Sequence, residues 1–254
     1  MLIALTRRVS PSITRCELTH LQRAPIDIAL AERQHERYEA ALETMGCTVQ
    51  QLPPEPDLPD SVFVEDMALV LDQCAVIARP GASSRRPEVT SVATALGRYR
   101  SLHRIEPPGT LDGGDVLAVG DRVYVGLSTR TNAVAAKQLE CLLAPLGYAV
   151  EVIAVRGCLH LKSAASALSD GQLLLNPSLL DGAPFDGLER IEVHPAEPFA
   201  ANVVCIGRQV LCQAGATRTQ ERLEACGYTI VPVDVSELGK AEGGLTCCSL
   251  VFRV

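Results

Sequence analysis

Apolar positions along this chain change period in a recurring order. Two short strand-like runs flank a tight turn, a longer stretch with helical spacing follows, and a further strand closes the unit. Helical spacing predicts helices over roughly 26–45, 88–97, 132–146 and 217–226. Three helix ends resemble one another: Met45-Gly46-Cys47-Thr48-Val49, Leu146-Gly147-Tyr148-Ala149-Val150 and Cys226-Gly227-Tyr228-Thr229-Ile230. In each, glycine stands where a helix must turn out of its last coil, and a strand follows. The helix at 88–97 ends at Gly97 and leads into a strand near 102–106.

Hairpins supply the other half of each unit. Met67–Leu71 and Cys74–Arg79 flank Asp72-Gln73, and Val116–Val119 and Arg122–Leu127 flank Gly120-Asp121. Ala164–Leu168 and Gln172–Asn176 flank Ser169-Asp170-Gly171, and Val203–Ile206 and Gln209–Gln213 flank Gly207-Arg208. A polar residue introduces each hairpin or strand: Asp66, Asp112, His160, Asn202 and Cys247, at intervals of 42 to 48 residues. Such spacing indicates an array of similar supersecondary units. The fifth unit is split, one strand at 249–254 and the remainder in 2–52, so that the chain closes into a ring without a free sheet edge. Five units around one axis would aim all five polar residues at a central channel. No linker or low-complexity segment divides residues 1–254, which reads as a single α/β domain.

Composition narrows the function. The net charge of −7 and the lack of a basic run argue against nucleic acid and favour a small cationic ligand. No apolar stretch approaches the ~20 residues of a membrane span, and the opening Met1-Leu2-Ile3-Ala4-Leu5 is too short for a signal sequence. Ten cysteines without a disulfide framework suggest a reduced, cytoplasmic protein.

Cys247 lies in Gly243-Gly244-Leu245-Thr246-Cys247-Cys248-Ser249, a loop able to present a thiol at a cavity mouth. Taken alone it reads first as an inert buried thiol; a nucleophile needs a histidine and an acid beside it. Asp57, Asp60, Glu65 and Asp66 cluster around Val62-Phe63-Val64, and Glu65 and Asp66 abut an apolar strand where an unpaired charge is costly. They would hold a guanidinium, either a ligand's or that of an internal arginine. Asp112 in Gly109–Asp115 is a turn residue or a site acid, and His160 in Cys158–Ser163 is a core residue or an acid–base. A zinc site with Cys158, Cys247 and Cys248 lacks paired ligand spacing. Arg85-Arg86 and Arg130 occupy equivalent places after adjacent hairpins, where they would clamp a carboxylate from the channel rim.

These stretches resemble the dimethylarginine dimethylaminohydrolase family of the guanidino-group-modifying pentein superfamily. The likeness runs in order through Leu18-Thr19, Asp60–Asp66, Arg79–Arg86, Gly109–Asp115, Arg130–Asn132, Leu159–Lys162, Ala201-Asn202 and Gly243–Leu250. It implies a pentein fold, a five-bladed α/β propeller of ββαβ units with pseudo-fivefold symmetry. It also implies Cys247 as nucleophile, His160 as acid–base and Asp112 as the acid orienting it. Glu65 and Asp66 would hold the substrate guanidinium, and Arg85 and Arg130 its α-carboxylate. Asp60 and the Leu18 carbonyl would take the α-amino group, with a backbone contact at Ala241. Asp112 and the double cysteine resemble the animal form, whereas some bacterial relatives carry Glu at the acid. No metal or organic cofactor is expected; the expected partner is a cationic amino acid, and a homodimer is allowed. Arginine deiminase is the alternative within the superfamily, and a ribosome anti-association factor of the same fold the non-enzyme alternative.

Overall fold

The computed structural model describes residues 1–180, 185 and 187–254. Among them are five three-stranded sheets of one design: an antiparallel pair with a third strand added parallel to the middle one. The second blade pairs Ala68–Val70 with Cys74–Ile77 and then Ser101–Arg104; the third pairs Val116–Val119, Arg122–Leu127 and Ala149–Ala154. The fourth is Ala165–Ala167, Gln172–Leu175 and Glu189–Glu192, and the fifth Val204–Ile206, Gln209–Gln213 and Thr229–Val233. The first blade is the split one: Leu2–Thr6 lies between Leu250–Arg253, antiparallel, and Cys47–Gln51, parallel.

The expected helices form at Ile28–Thr44, Val89–Leu96, Ala133–Leu143 and Thr217–Ala225. Asp27 and Asn132 cap two of them through side-chain oxygens that accept from the amides of Leu30 and Ala135. Gly46, Gly147 and Gly227 have φ of +97°, +89° and +81°, the left-handed exit that their repeat position required. In the fourth blade the described connection holds only the 3₁₀ turn Pro177–Leu179.

The middle strands explain why five blades close. They are apolar on both faces, so alternate residues enter different cores. Ile3 and Leu5 pack with Ala75 and Ile77 of the second blade, while Ala4 packs with Leu211 of the fifth. Cys74 and Val76 meet Val123 and Val125 of the third blade, whose Tyr124 turns to Leu173 and Leu175 of the fourth. Leu174 completes the circuit with Val210 and Cys212. Each core is an interface between neighbouring blades, and no blade buries its apolar surface alone.

The first strands of all five blades surround the axis. Leu69, Leu117, Ala167, Val204 and Val251 line one cavity of about 350 Å³ between them. No described helix is long and apolar enough to cross a membrane.

Candidate active site

Four first strands are entered through one helical turn: Val64–Met67, Gly113–Asp115, Leu161–Ala164 and Thr246–Cys248. The fifth is entered directly from Asn202. These turns touch one another around the axis and deliver the polar side chains to it. His160 lies ahead of its strand, Ala165–Ala167, and not within one. It caps the turn Leu161–Ala164 with extended backbone, φ −136° and ψ 160°. Cys247 and Cys248 are likewise on a turn, which sends them apart: Cys247 lines the cavity and Cys248 is fully buried.

Asp112, Asp66 and His160 form the centre. His160 Nε2 lies 3.1 Å from Asp112 Oδ2, and its Nδ1 3.8 Å from Asp66 Oδ1. Asp66 Oδ1 also accepts from the Gly114 amide at 3.1 Å. A Cβ at Gly114 would lie 2.6 Å from the imidazole and 2.8 Å from Asp66, so only glycine lets the three approach. Burial alone would lower the His160 pKa, but Asp66, Asp115 and Asp112 outweigh it and raise it to about 9. Burial also works against an ionised Asp66, yet His160 and Arg85 hold its pKa below the usual value. The three residues present atoms within 4.8 Å of one another, a spacing that would suit a metal ion. A cationic imidazole between two carboxylates satisfies the same geometry.

Arg85 is not on a rim. Its guanidinium is buried and engaged on every side: Nη1 donates to Asp66 Oδ2 at 2.6 Å, Nη2 to Glu88 Oε2 at 3.0 Å and to the Phe63 carbonyl at 3.1 Å. The internal arginine that an acid pair can imply is thus present, facing Asp66. Burial raises Glu88 to about 7 even with this partner. Arg130 is buried too, with Nη2 donating to Thr19 Oγ1 at 3.0 Å.

Glu65 points elsewhere. Its oxygens accept from Lys162 Nζ and from Thr246 Oγ1, both at 2.7 Å, and it lines the axial cavity. Asp60, Asp66, Arg85, Arg130, His160, Ala241 and Cys247 instead share one tight cavity. A larger one of about 280 Å³ adjoins it at Cys247 and Glu242, under Leu21 and Phe199. Asp60 accepts from the Glu17 amide at 3.1 Å, beside Leu18. The Cys247 sulfur accepts from the Gly244 amide at 3.2 Å, while burial, reinforced by Glu65 and Asp66, pushes its thiol pKa well up.

Comparison with known proteins places this arrangement. The arginine deiminase family model matches residues 22–198. N(G),N(G)-dimethylarginine dimethylaminohydrolase of Pseudomonas aeruginosa is 39% identical over 228 residues, 89% of this chain and 90% of that one. The protein of that name from Streptomyces coelicolor is 41% identical over 251 residues, covering 98% and 96%. The chain belongs to the dimethylarginine dimethylaminohydrolase family. Its five-bladed fold is that family's pentein propeller: the solved Pseudomonas aeruginosa structure, a cysteine-to-serine variant complexed with citrulline, matches with a TM-score of 0.93 at 37% identity and 98% coverage of both chains. A histidine-to-glycine dimethylarginine dimethylaminohydrolase carrying an S-methyl-L-thiocitrulline adduct also gives 0.93, at 36% identity over 99% of this chain and all of that one.

Several residues that build this site were missed from the sequence. Asp115 is fully buried, accepting from Ser128 Oγ at 2.6 Å and from the Leu161 amide at 3.0 Å, and burial raises it to about 6. Asn202 was noticed but not given a task. It braces the turn that carries Cys247, its Oδ1 accepting from the Thr246 amide and its Nδ2 donating to Thr246 Oγ1, both at 3.0 Å. Glu88 and Glu242 carried no signal of their own, because their partners are set by the fold.

Proposed function

We propose that this protein is a dimethylargininase, hydrolysing Nω-methylated arginine, asymmetric dimethylarginine or monomethylarginine, to citrulline and dimethylamine or methylamine. One observation carries the reading: a thiol, a cationic histidine, a carboxylate and two arginines converge on one tight cavity. A single catalytic domain spanning 1–254 would supply all of them.

The guanidinium of the substrate would sit against Asp66, with its carbon at the Cys247 sulfur. Asp60 and the Leu18 and Ala241 carbonyls would receive the α-amino group, and Arg130 and Arg85 the α-carboxylate. Of the two arginines, Arg130 has fewer internal partners and takes the larger share. Glu65 would act by holding Lys162 and the Thr246 turn beneath the nucleophile. In the free protein the thiol is neutral and His160 is protonated. Burial first, and then Glu65 and Asp66, hold the thiol pKa up; an incoming cation favours the thiolate against both, so the Cys247 proton is lost to solvent as substrate binds.

The thiolate then forms a bond to the guanidinium carbon. The bond to the methylated nitrogen breaks as His160 donates its proton to that nitrogen. The amine departs, leaving a thiouronium on Cys247. Neutral His160, held by Asp112, takes a proton from water as the oxygen attacks; the C–S bond breaks and citrulline leaves.

The test is release of citrulline and dimethylamine from asymmetric dimethylarginine, with plain arginine as the control that separates this activity from arginine deiminase. His160→Gly with S-methyl-L-thiocitrulline should leave an adduct on Cys247, visible as added mass after acid quench. Citrulline release by that variant at the wild-type rate with no adduct would return His160 to the core.

A further inference from the structure

Glu242 stands between the substrate-contacting backbone at Ala241 and the glycine pair that precedes the nucleophile. Its φ is +59°, in the left-handed region where a side chain with a Cβ is unfavourable and glycine is at ease. Strain held at such a place is kept when the side chain does something that glycine would not. Here the carboxylate reaches across the cavity mouth to the segment that follows Leu18. It accepts from three consecutive backbone amides: Thr19 at 3.0 Å, His20 at 2.5 Å and Leu21 at 2.6 Å. Those three residues are exposed, and nothing in a helix or sheet holds their amides.

The other polar ties of this segment to the site run through groups that the substrate would use. Asp60 holds the Glu17 amide and Arg130 holds the Thr19 hydroxyl. When an amino acid occupies the cavity, its ammonium and carboxylate draw on the same Asp60 and Arg130. Glu242 makes no such contact in the proposed reaction, so its grip on Thr19–Leu21 persists with substrate bound. Leu21 itself, like Phe199, lines the larger cavity.

We infer that Glu242 is a positioning residue, a carboxylate latch that seats Thr19–Leu21 over the cavity and thereby aims the Leu18 carbonyl at the substrate's α-amino group. The inference rests on the proposed activity for its kinetic consequence only. The hold on the loop is a property of the free protein.

Glu242→Gly is the informative variant, because it removes the carboxylate and relieves the backbone at once. A merely structural glutamate would lower the melting temperature when lost. The latch predicts an unchanged or higher melting temperature, with amide exchange at Thr19, His20 and Leu21 accelerated at least about tenfold. Exchange in Leu2–Thr6 should not change. KM for methylarginine should rise about tenfold while kcat stays within about threefold. Glu242→Gln, which keeps one acceptor oxygen, should fall between. Exchange at the three amides unchanged in Glu242→Gly, or acceleration spread over the whole chain, overturns the latch. So does a freed loop with unaltered KM. If wild type releases no citrulline from any methylarginine, the activity fails, while the exchange measurement still decides whether Glu242 holds the loop.

Discussion

The two ends of the propeller axis are built from the same five strands and could hardly differ more. Along the strands, apolar side chains from every blade surround a roomy cavity in which Glu65 and Lys162 form the charged contact, with Thr246 beside them. Around the strand entrances, Asp66, Asp112, His160, Arg85 and Glu88 crowd together, all of them buried and each paired with another. The boundary runs between consecutive residues, Glu65 and Asp66, which face opposite ways. Strand alternation builds the first end, where each residue has a fixed choice of two faces. One-turn helices build the second, and a turn can splay neighbouring side chains in several directions. Charge gathers where the backbone stops being a strand.

The largest effect that would test this division is at the turn Thr246–Cys248. Cys247→Ser should lower turnover by at least about a thousandfold in a folded protein. Cys248→Ser should keep most of the activity and cost about 1–2 kcal/mol of stability for a hydroxyl in an apolar site. The opposite ranking in a citrulline-release assay would mean that the turn is read one residue out of register.

Next come the adjacent acids. Asp66→Asn leaves the buried Arg85 short of a partner and should cost about 3–5 kcal/mol in urea unfolding, with activity lost as well. Glu65→Gln keeps one acceptor oxygen for Lys162, while its amide nitrogen can donate to the Thr246 hydroxyl in place of accepting from it, and should cost about 1–2 kcal/mol. Equal costs would erase the distinction between the two ends.

The arginines sharpen it further. Arg130→Ala should raise KM for methylarginine by an amount equivalent to about 1.5–3 kcal/mol, with methylguanidine, which has no carboxylate, unaffected. Arg85→Ala should do this and also destabilise the fold, because it strands Asp66 and Glu88. A stability loss in Arg130→Ala matching that of Arg85→Ala would show that both arginines serve the scaffold.

The last test is a titration. His160 is raised from 6.5 to about 9 in the folded state, so its ion pairs stabilise fully below pH 6.5 and are lost as pH climbs through 9. Between pH 7 and 9 the loss should reach about 2 kcal/mol. Glu88, raised to about 7, weakens the fold over a lower range and adds little there. Urea midpoints should fall across this window in wild type and much less in His160→Gln.

Much of this architecture was legible in the sequence because glycine caps and doubly apolar strands each have one physical reading. The gathering of Asp112, His160 and Cys247 was legible only through the repeat, which brings residues over forty positions apart to one axis. Yet the spacing of the polar residues is not a structural register. Asp112 and His160 cap their turns, whereas Asp66 is the third residue of its own, and the residue in that third place one blade on is Asp115. Aligning the units on the hairpin starts read from the sequence, Met67 with Val116, sets Asp66 against Asp115 and would have exposed it. Arg85 was read as a rim residue because an arginine after a loop is usually solvated. Its burial follows from Glu88, one helical turn later, and from Asp66, two blade elements away.

The split blade has a consequence in time. Four blades assemble from contiguous stretches of chain, whereas the remaining one joins Leu2 to Arg253. Contacts so distant in sequence carry the greatest loop-closure cost and form late. Cys247 sits immediately before that closing strand, so during refolding the thiol should reach its station after most of the secondary structure has formed. Regained activity, followed beside far-ultraviolet circular dichroism, should lag behind it, and the lag would measure the sealing of the ring.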